Sequence, residues 1–411
     1  MSDIKLQNAK ANPIAAKIWS CWYRLRFFMD VPSILRLLRY RKLRQTYYDA
    51  LWSEAAKNIE ADIVLNSFGM TRISKAGWST FVRQHEMMFD SPLMLNLMGN
   101  KALTYQLLSD LGAPIVPHLI VSMAQLDKAR GFLASHSTIV VKPASGTGGG
   151  RGVTTGVKTE GQLMAAAKLA ARSDRNLIVE KQVEGQSYRL LFLDGQFIDA
   201  IRRDLPVLIG DGQSNLRQLI RQENKRREHQ LPMRALSPLA IDKDMKNWMM
   251  ANDMRLSDVS PNGEAIQIKR ATNENDSSGN VNVTQLVNED IVLRCAELVQ
   301  NLGVKFAGVD LICQDIAGSF SSENCYVGEV NTTPGLHHHY LIANPIDGNP
   351  VAEIALDYLY SQKMGIMTSD NPTHSGLSPV ISETQSKTPI SAEQANQRPS
   401  VAKRVLADEL H

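Results

Sequence analysis

Residues Thr138 to Val153 read Thr-Ile-Val-Val-Lys-Pro-Ala-Ser-Gly-Thr-Gly-Gly-Gly-Arg-Gly-Val. Thr138 to Val141 is a β-branched run and predicts a short, half-buried or buried strand. It ends in Lys142-Pro143, so a cation stands at the strand terminus, and a loop with five glycines (Gly146, Gly148, Gly149, Gly150 and Gly152) follows. Backbone without Cβ atoms can fold over a phosphate chain and aim several N–H groups at it, but the same composition also makes a plain flexible turn. A Walker A loop is excluded, because the lysine precedes the glycines and no Gly-Lys-Ser/Thr closes them. A dinucleotide-binding turn fails on spacing, since no helix opens directly on the glycines with an acidic residue at the expected distance. Residues downstream have to decide between cradle and turn.

The 411 residues are enough for two or three domains, and 43% apolar with 21% charged residues is a globular composition. A net charge of +3 is too small to argue for a nucleic-acid partner. That average hides a gradient: Met1 to Tyr48 holds ten Lys/Arg and two acidic residues. Cys21, Cys295, Cys313 and Cys325 show neither zinc-like spacing nor an obvious pairing, which predicts a reduced, cytoplasmic protein. No apolar run reaches membrane-span length and no signal-peptide pattern opens the chain.

Residues 1–57 read as a basic, aromatic-rich helical arm with helices over Ala15 to Met29 and Ile34 to Leu51. In the second, Ile34, Leu35, Leu38, Leu43 and Tyr47 alternate with Arg36, Arg39, Arg41, Lys42 and Arg44. Such a helix can lie on an anionic membrane surface or dock a partner. Packing on its own domain or on a second subunit is the preferred reading, and a homo-oligomer is expected. Ala61 to Ser67 predicts a strand. Asn100 to Leu111 predicts a helix on the spacing of Leu103, Leu107, Leu108 and Leu111, with Lys101 in its first turn. After the Gly-rich loop come a helix over Thr159 to Arg172, a strand over Asn176 to Val183 and a hairpin. Tyr188 to Leu193 and Gln196 to Ile201 form that hairpin, joined by Asp194-Gly195 and closed by Arg202-Arg203. Paired arginines beside a possible phosphate loop make an anion site or a solvated strand end. A helix over Asn215 to Arg227, a strand over Glu264 to Ala271 and a helix over Glu289 to Leu302 follow. From Ser361 the chain turns Ser/Thr/Pro/Gln-rich, which predicts a disordered tail, residues 361–411.

Phe306 to Cys313 and Cys325 to Val330 are apolar strands that carry Asp310, Glu329 and, just beyond, Asn331. Glu329 and Asn331 are two apart and project from one face of a strand. With Asp310 on a neighbouring strand, three hard oxygen donors can reach one point, which suits Mg²⁺ or Mn²⁺. The competing reading, strand-end residues capping turns, is weakened by the cost of an unpartnered carboxylate inside an apolar strand. His337-His338-His339 gives poor tripod geometry for a metal; contact with substrate or a solvent-exposed turn is expected.

In this order the motifs resemble the ATP-grasp superfamily of carboxylate–amine ligases, and within it the ATP-grasp module of cyanophycin synthetases. The resemblance spans roughly Val64 to Tyr360. It is carried by Lys101, by Val-Val-Lys-Pro with its glycines, and by Val-Glu-Lys-Gln-Val-Glu-Gly-Gln-Ser-Tyr-Arg. Gly-Asp-Gly-Gln-Ser-Asn-Leu-Arg, Lys-Arg-Ala-Thr-Asn-Glu-Asn, Gly-Val-Asp-Leu-Ile and Glu-Val-Asn-Thr-Thr-Pro-Gly complete it. The resemblance implies an α+β ATP-grasp fold in which two subdomains, a lid at 119–203 and a C-terminal subdomain at 204–360, grip ATP after an N-terminal α/β subdomain at 58–118. It further implies that Lys101 and Lys142 bind ATP phosphates under the mobile loop Gly146 to Gly152. Glu180, Lys181 and Val183 would form the adenine hinge. An acid often holds the ribose two residues beyond Gly185. Ser187 stands there, so either Glu184 substitutes or ribose binding is weaker. Arg202, Arg270 and Asn273 would stand near the reacting phosphate, and Asp310, Glu329 and Asn331 would bind Mg²⁺ or Mn²⁺. The implied reaction joins the carboxylate of an amino acid or peptide to an amine, with ADP and phosphate released; the alternatives are a non-catalytic ATP-binding scaffold docked by its basic arm and a ligase that modifies a ribosomal peptide or protein. A cyanophycin synthetase carries a second, Mur-ligase-like domain after this module. Here a polar tail follows, so its two alternating additions are not expected.

Overall fold

The computed structural model describes residues 31–145, 152–229, 238–270 and 279–367. Helix α1 (Val31–Asn58) leads into the antiparallel strands β1 (Asp62–Ser67), β2 (Met70–Lys75) and β3 (Trp78–Val82). The second half of α1 is part of a core: Tyr48, Leu51, Trp52, Ala55 and Ala56 are buried, and Trp52 Nε1 donates to the Gln84 carbonyl at 2.8 Å. Truncating a buried Trp costs about 3–5 kcal/mol, so this part of the expected arm is held to its domain. The helix expected over Ala15 to Met29 lies outside the described residues. Helices α2 (Pro92–Gly99) and α3 (Lys101–Asp110) follow, separated by Asn100, whose side chain caps α3 by accepting from the Leu103 amide.

A four-stranded antiparallel sheet comes next. Its elements are β4 (His118–Ser122), α4 (Leu126–His136), β5 (Ile139–Pro143), β6 (Thr154–Val157), α5 (Glu160–Ala170) and β7 (Asn176–Lys181), with strand order β4-β7-β5-β6. Helix α5 opens with a Thr159–Gln162 capping box. Leu133 of α4 and Leu163, Ala166 and Ala170 of α5 cover Val141, Leu177 and Val179.

Strands β8 (Gln186–Leu193) and β9 (Gln196–Arg203) form the expected hairpin, with Asp194 at φ 51° and Gly195 at φ 77° as a type I′ turn requires. A small unit of β10 (Val207–Ile209), α6 (Leu216–His229), α7 (Lys243–Ala251) and β11 (Ala265–Gln267) is inserted, its strand shorter than expected over Glu264 to Ala271. Then come β12 (Val281–Asn282), α8 (Glu289–Leu302), β13 (Phe306–Cys313) and β14 (Cys325–Asn331). These build a five-stranded antiparallel sheet in the order β12-β9-β8-β13-β14. The span 119–203 expected as a lid is therefore divided. Leu190 to Leu193 are buried and pair with β13, which draws the hairpin into the second sheet. Gln182 to Gly185 cross between the two sheets. Gly185 sits at φ +143°, where a Cβ would lie 2.7 Å from the Cys313 carbonyl oxygen, so only glycine passes without strain.

The chain ends its described part with α9 (His337–Tyr340), α10 (Val351–Ser361) and β15 (Ile366–Met367), which pairs with β3. Order thus continues past the boundary expected at 361; the rest of the tail lies outside the described residues. One face of the central sheet (Leu190, Phe192, Val309, Leu311) packs on α3 and α8, and the other (Leu191, Leu193, Phe306) on α1 and α10. The α+β class expected from the sequence is the class observed. Among the described residues no helix is long and apolar enough to cross a membrane.

Candidate active site

Strand pairing collects charge on one face of the central sheet. Asp310 lies opposite Arg189 on β8 and opposite Glu329 on β14, while Ser187 lies opposite Arg203 on β9. Opposed residues in a ladder project to the same side, so these groups form an oblique row that Asn331, two beyond Glu329, extends. Two β-bulges set this parity. The register passes from Leu311↔Val327 to Asp310↔Glu329, leaving Gly328 unpaired, and from Phe192↔Phe197 to Leu191↔Asp199, leaving Ile198 unpaired.

Asp310 is the centre of the row. The fully buried Arg189 donates Nε to Oδ1 at 2.6 Å and Nη2 to Oδ2 at 2.8 Å. Arg203 Nη2 donates to the same Oδ2 at 3.1 Å and to Ser187 Oγ at 3.1 Å. Glu329, at the open end, is paired with Lys101 of α3.

A second cluster faces out of the four-stranded sheet. Lys142 Nζ lies 2.8 Å from Glu180 Oε2 and donates to the Tyr105 hydroxyl at 2.8 Å, and that hydroxyl donates to Glu180 at 3.0 Å. Burial pulls the Lys142 pKa down, but the Glu180 carboxylate and Tyr105 more than reverse this and hold it above the ordinary lysine range. Helix α3 joins the clusters, because Lys101 and Tyr105 are four apart and share one face. The Lys101 amide also donates to the Ala144 carbonyl at 2.9 Å, while the Ala144 amide donates to Asn176 O at 3.0 Å and Ser145 Oγ to Asp174 at 2.6 Å. The entry to the Gly-rich loop is thereby pinned. At its exit Gly152 has φ +79°, with its Cβ position 3.3 Å from the Pro143 ring.

The expected site residues distribute as follows. Lys101, Lys142, Asp310, Glu329 and Asn331 stand in these two clusters, whereas Gly146, Gly148, Gly149, Gly150 and Asn273 lie outside the described residues. The carboxylate of Glu180 is bound by Lys142, so it is not turned toward a base. Lys181 is exposed, Val183 is half-buried, and Glu184 is exposed and ion-paired with Arg270. Ser187 accepts from Arg203. Arg202 opposes Tyr188 on the other side of the sheet and pairs with Asp204, Nε to Oδ1 at 2.6 Å; its neighbour Arg203 reaches Asp310 instead. The three histidines are not a solvent-exposed turn: each is 1% exposed. Local reading of the sequence misses Tyr105 and Arg189, and of the pair Arg202-Arg203 it sets Arg202 rather than Arg203 near the reacting phosphate. Alternation from Ser187 points to Arg189, and the four-residue step from Lys101 points to Tyr105.

Among the described residues no three His, Cys, Asp or Glu side chains gather into a metal cage. Glu329, Asn331 and Asp310 do carry hard oxygen donors on one side of the sheet, the donor type that a divalent cation takes together with phosphate and water. A carboxylate has about four acceptor positions, and three guanidinium bonds on Asp310 leave one.

No family model matches the chain. It is 25% identical over 299 residues, 71% of this chain, to a cyanophycin synthetase of Trichormus variabilis, covering 31% of that protein. To the bifunctional glutathione biosynthesis protein GshAB of Streptococcus thermophilus it is 27% identical over 277 residues, 64% of this chain and 36% of that protein. The chain spans about a third of the length of the curated relatives it matches. A bifunctional glutathione synthetase from Pasteurella multocida superposes with a TM-score of 0.48 at 19% identity, over 74% of this chain and 41% of that one. The resemblance carried by the motif order therefore extends over most of this chain, 71% of which aligns with about a third of a cyanophycin synthetase.

Proposed function

We propose that the chain is an ATP-dependent ligase that couples the carboxylate of an amino acid or peptide to an amine. The observation that supports this best is the pair of lysine–carboxylate clusters, Lys142–Glu180 and Lys101–Glu329, mounted on two different sheets and joined through α3. An arriving triphosphate competes with Glu180 and Glu329 for the two ammonium groups, and releases Glu329 as it binds. In the reaction, a carboxylate oxygen of the acid attacks the γ-phosphorus and the bond to the β-bridging oxygen breaks, giving an acylphosphate and ADP. The amine then attacks the acyl carbon, the C–O bond to phosphate breaks, and the amine proton leaves with phosphate or water. Charge grows on phosphoryl oxygens, so prearranged cations lower the barrier without a nucleophilic side chain. Lys101 and Lys142 orient and neutralise the phosphates. A bound Mg²⁺ or Mn²⁺ would be held by Glu329, Asn331 and the remaining acceptor position of Asp310, and supplies further neutralisation of phosphate charge. The glycine loop between its pinned ends would exclude water from the acylphosphate. A cytoplasmic setting goes with this reading.

The test is ADP release from Mg-ATP across a panel of amino acids and short peptides offered singly and in pairs. Release that depends on an acid–amine pair and disappears in Glu329→Gln supports the ligase. Tight ATP binding with no release from any pair would remove it.

A further inference from the structure

The face that carries Asp310 continues past the row. Phe306, Gly308 and Asp310 alternate along β13 and so share one side, and Asn331 lies opposite Gly308. Thr332 and Thr333 follow Asn331, a reach of at most roughly 7 Å. There Phe306, Thr332 and Thr333 line a cavity of about 150 Å³ together with the segment from His85 to Asp90 and Leu95 of α2. An apolar cavity of this size can hold a benzene-sized group. The ligase chemistry uses none of these residues.

The segment is fixed at both ends. At its start Arg83 and Glu86 exchange backbone hydrogen bonds at 3.0 Å around Gln84-His85, with Gln84 at φ 55°, a strained conformation for a residue with a Cβ. Trp52 Nε1 donates to the Gln84 carbonyl at 2.8 Å and keeps it there. Strain of this kind persists where the surroundings over-determine it, and it gathers at binding sites. At the other end Asp90 accepts from the Lys305 and Phe306 amides at 2.9 and 3.2 Å, and between the two ends Phe89 stacks on Phe306 with ring centroids 5.1 Å apart. The polar groups of the wall are engaged: Asp90 by those amides, Glu86 by Arg83 Nε at 2.8 Å, and His85 by Arg44 Nη2 at 3.4 Å. The lining left to a ligand is apolar, from Met87, Phe89, Leu95 and Phe306. Burial pushes the Asp90 carboxyl above its ordinary value in spite of its two bonds, so a further anion is disfavoured beside it. A cation would give up its hydration for carboxylates that already have partners.

We propose that this cavity is a specificity pocket for an apolar side chain of leucine to phenylalanine size, carried by the substrate whose reacting group lies at Glu329 and Asn331. Phe89 and Phe306 hold the segment to the sheet, so Met87 and Leu95 are the residues that set the size of the pocket. Leucine in place of alanine puts three more carbons into it, worth about tenfold or more in discrimination. The inference rests on the ligase reading for where the reacting group lies, but binding can be measured without turnover.

Isothermal titration of the full chain, with and without Mg²⁺ and a non-hydrolysable ATP analogue, would compare alanine, leucine, phenylalanine, aspartate, glutamate and lysine. Each is offered free and as either residue of a dipeptide with glycine. Leucine or phenylalanine is expected to bind tenfold or more tighter than alanine, with aspartate and glutamate no tighter than alanine. Leu95→Trp fills the pocket at a residue 37% exposed, where the fold tolerates a larger side chain. It should weaken the apolar ligand at least fivefold and leave alanine and the nucleotide within twofold. Met87→Ala should instead shift the preference toward phenylalanine over leucine at least threefold. Binding indifferent to the side chain, no binding by any member of the panel, preference for an acidic or cationic side chain, or an unchanged leucine-to-alanine ratio in both variants would each overturn the pocket. Apolar-selective binding with no ADP release from any acid–amine pair would remove the ligase reading and leave the pocket standing; pair-dependent ADP release without apolar selectivity would do the reverse.

Discussion

Replacing Asp310 by Asn tests whether the centre of the row holds the fold together as well as serving the reaction. The change is nearly isosteric, so cavity formation contributes little. It removes the charge that compensates Arg189, whose side chain is fully buried, and Arg203, and it turns an acceptor into an N–H₂ group. With the amide oxygen placed where Oδ2 accepts two bonds, the amide nitrogen faces Arg189 Nε, donor against donor. Breaking one side of a buried ion pair costs about 3–5 kcal/mol. Spread over roughly 300 described residues at about 2.1 cal/mol/K each, that loss lowers Tm by about 5–8 °C. Glu329→Gln is the comparison: Glu329 is 30% exposed and its partner Lys101 13%, so its loss should cost less than about 1 kcal/mol while abolishing ADP release. Differential scanning calorimetry of the two variants at one pH separates the effects. An Asp310→Asn protein melting within 1 °C of wild type would refute the buried-pair reasoning. The double change Arg189→Met, Asp310→Leu should recover part of the stability without activity, because the fully buried Arg189 charge leaves with its partner while Arg203 still loses its carboxylate.

Three further outcomes follow from single contacts. Gly185→Ala puts a Cβ against the Cys313 carbonyl at positive φ, and should lower the urea midpoint by the equivalent of at least about 2 kcal/mol; an unchanged midpoint would mean the crossover between sheets is slack. Tyr105→Phe keeps the Lys142–Glu180 pair but removes the hydroxyl bonding both, so stability should fall by about 1–2 kcal/mol and ATP Kd rise about tenfold or less, read by calorimetry and titration. Burial pushes the Asp199 carboxyl up, but His339, Asn282 and Asn349 outweigh it and hold the pKa below the ordinary value. Its stabilisation is then fully present above about pH 4, the unfolded value, and is lost as pH falls through the lower folded value. Asp199→Asn should flatten the acid limb of a stability–pH curve measured by urea unfolding; a limb identical to wild type would refute it.

Much of the site was legible because its groups announce themselves by composition and short spacing. Lys142 at a strand end before glycines, Lys101 in a first helical turn and the alternating Glu329 and Asn331 needed only local periodicity. Helix α1 was harder, since its basic residues suggested a surface element while Tyr48 and Trp52, which decide its packing, look in sequence like any amphipathic stripe. The buried histidines look in sequence like a surface turn for a related reason: their partners, Tyr48 and Asp199, come from far along the chain.

The choice between Arg202 and Arg203 shows where local reading ends. Counting back from the two-residue turn, Leu193 faces Gln196, and a regular ladder would put Ser187 opposite Arg202, on the side of Arg189 and Asp310. The unpaired Ile198 shifts the register by one, so Ser187 meets Arg203 and Arg202 is carried to the opposite face. On the other edge the same device works in favour of the site. From Cys313↔Cys325 a regular ladder would set Glu329 opposite Val309, facing away from Asp310. The unpaired Gly328 instead turns Glu329 and Asn331 onto its face. A one-residue slip reverses every later side chain in a strand, so two bulges suffice to gather Arg203, Asp310, Glu329 and Asn331 on one side. Ile198 carries no signature of its bulge, and Gly328, a glycine inside an apolar strand, marks a place for one without fixing the register. What decides the chemistry here is the parity of strand pairing, which belongs to the ladder as a whole and not to any motif within it.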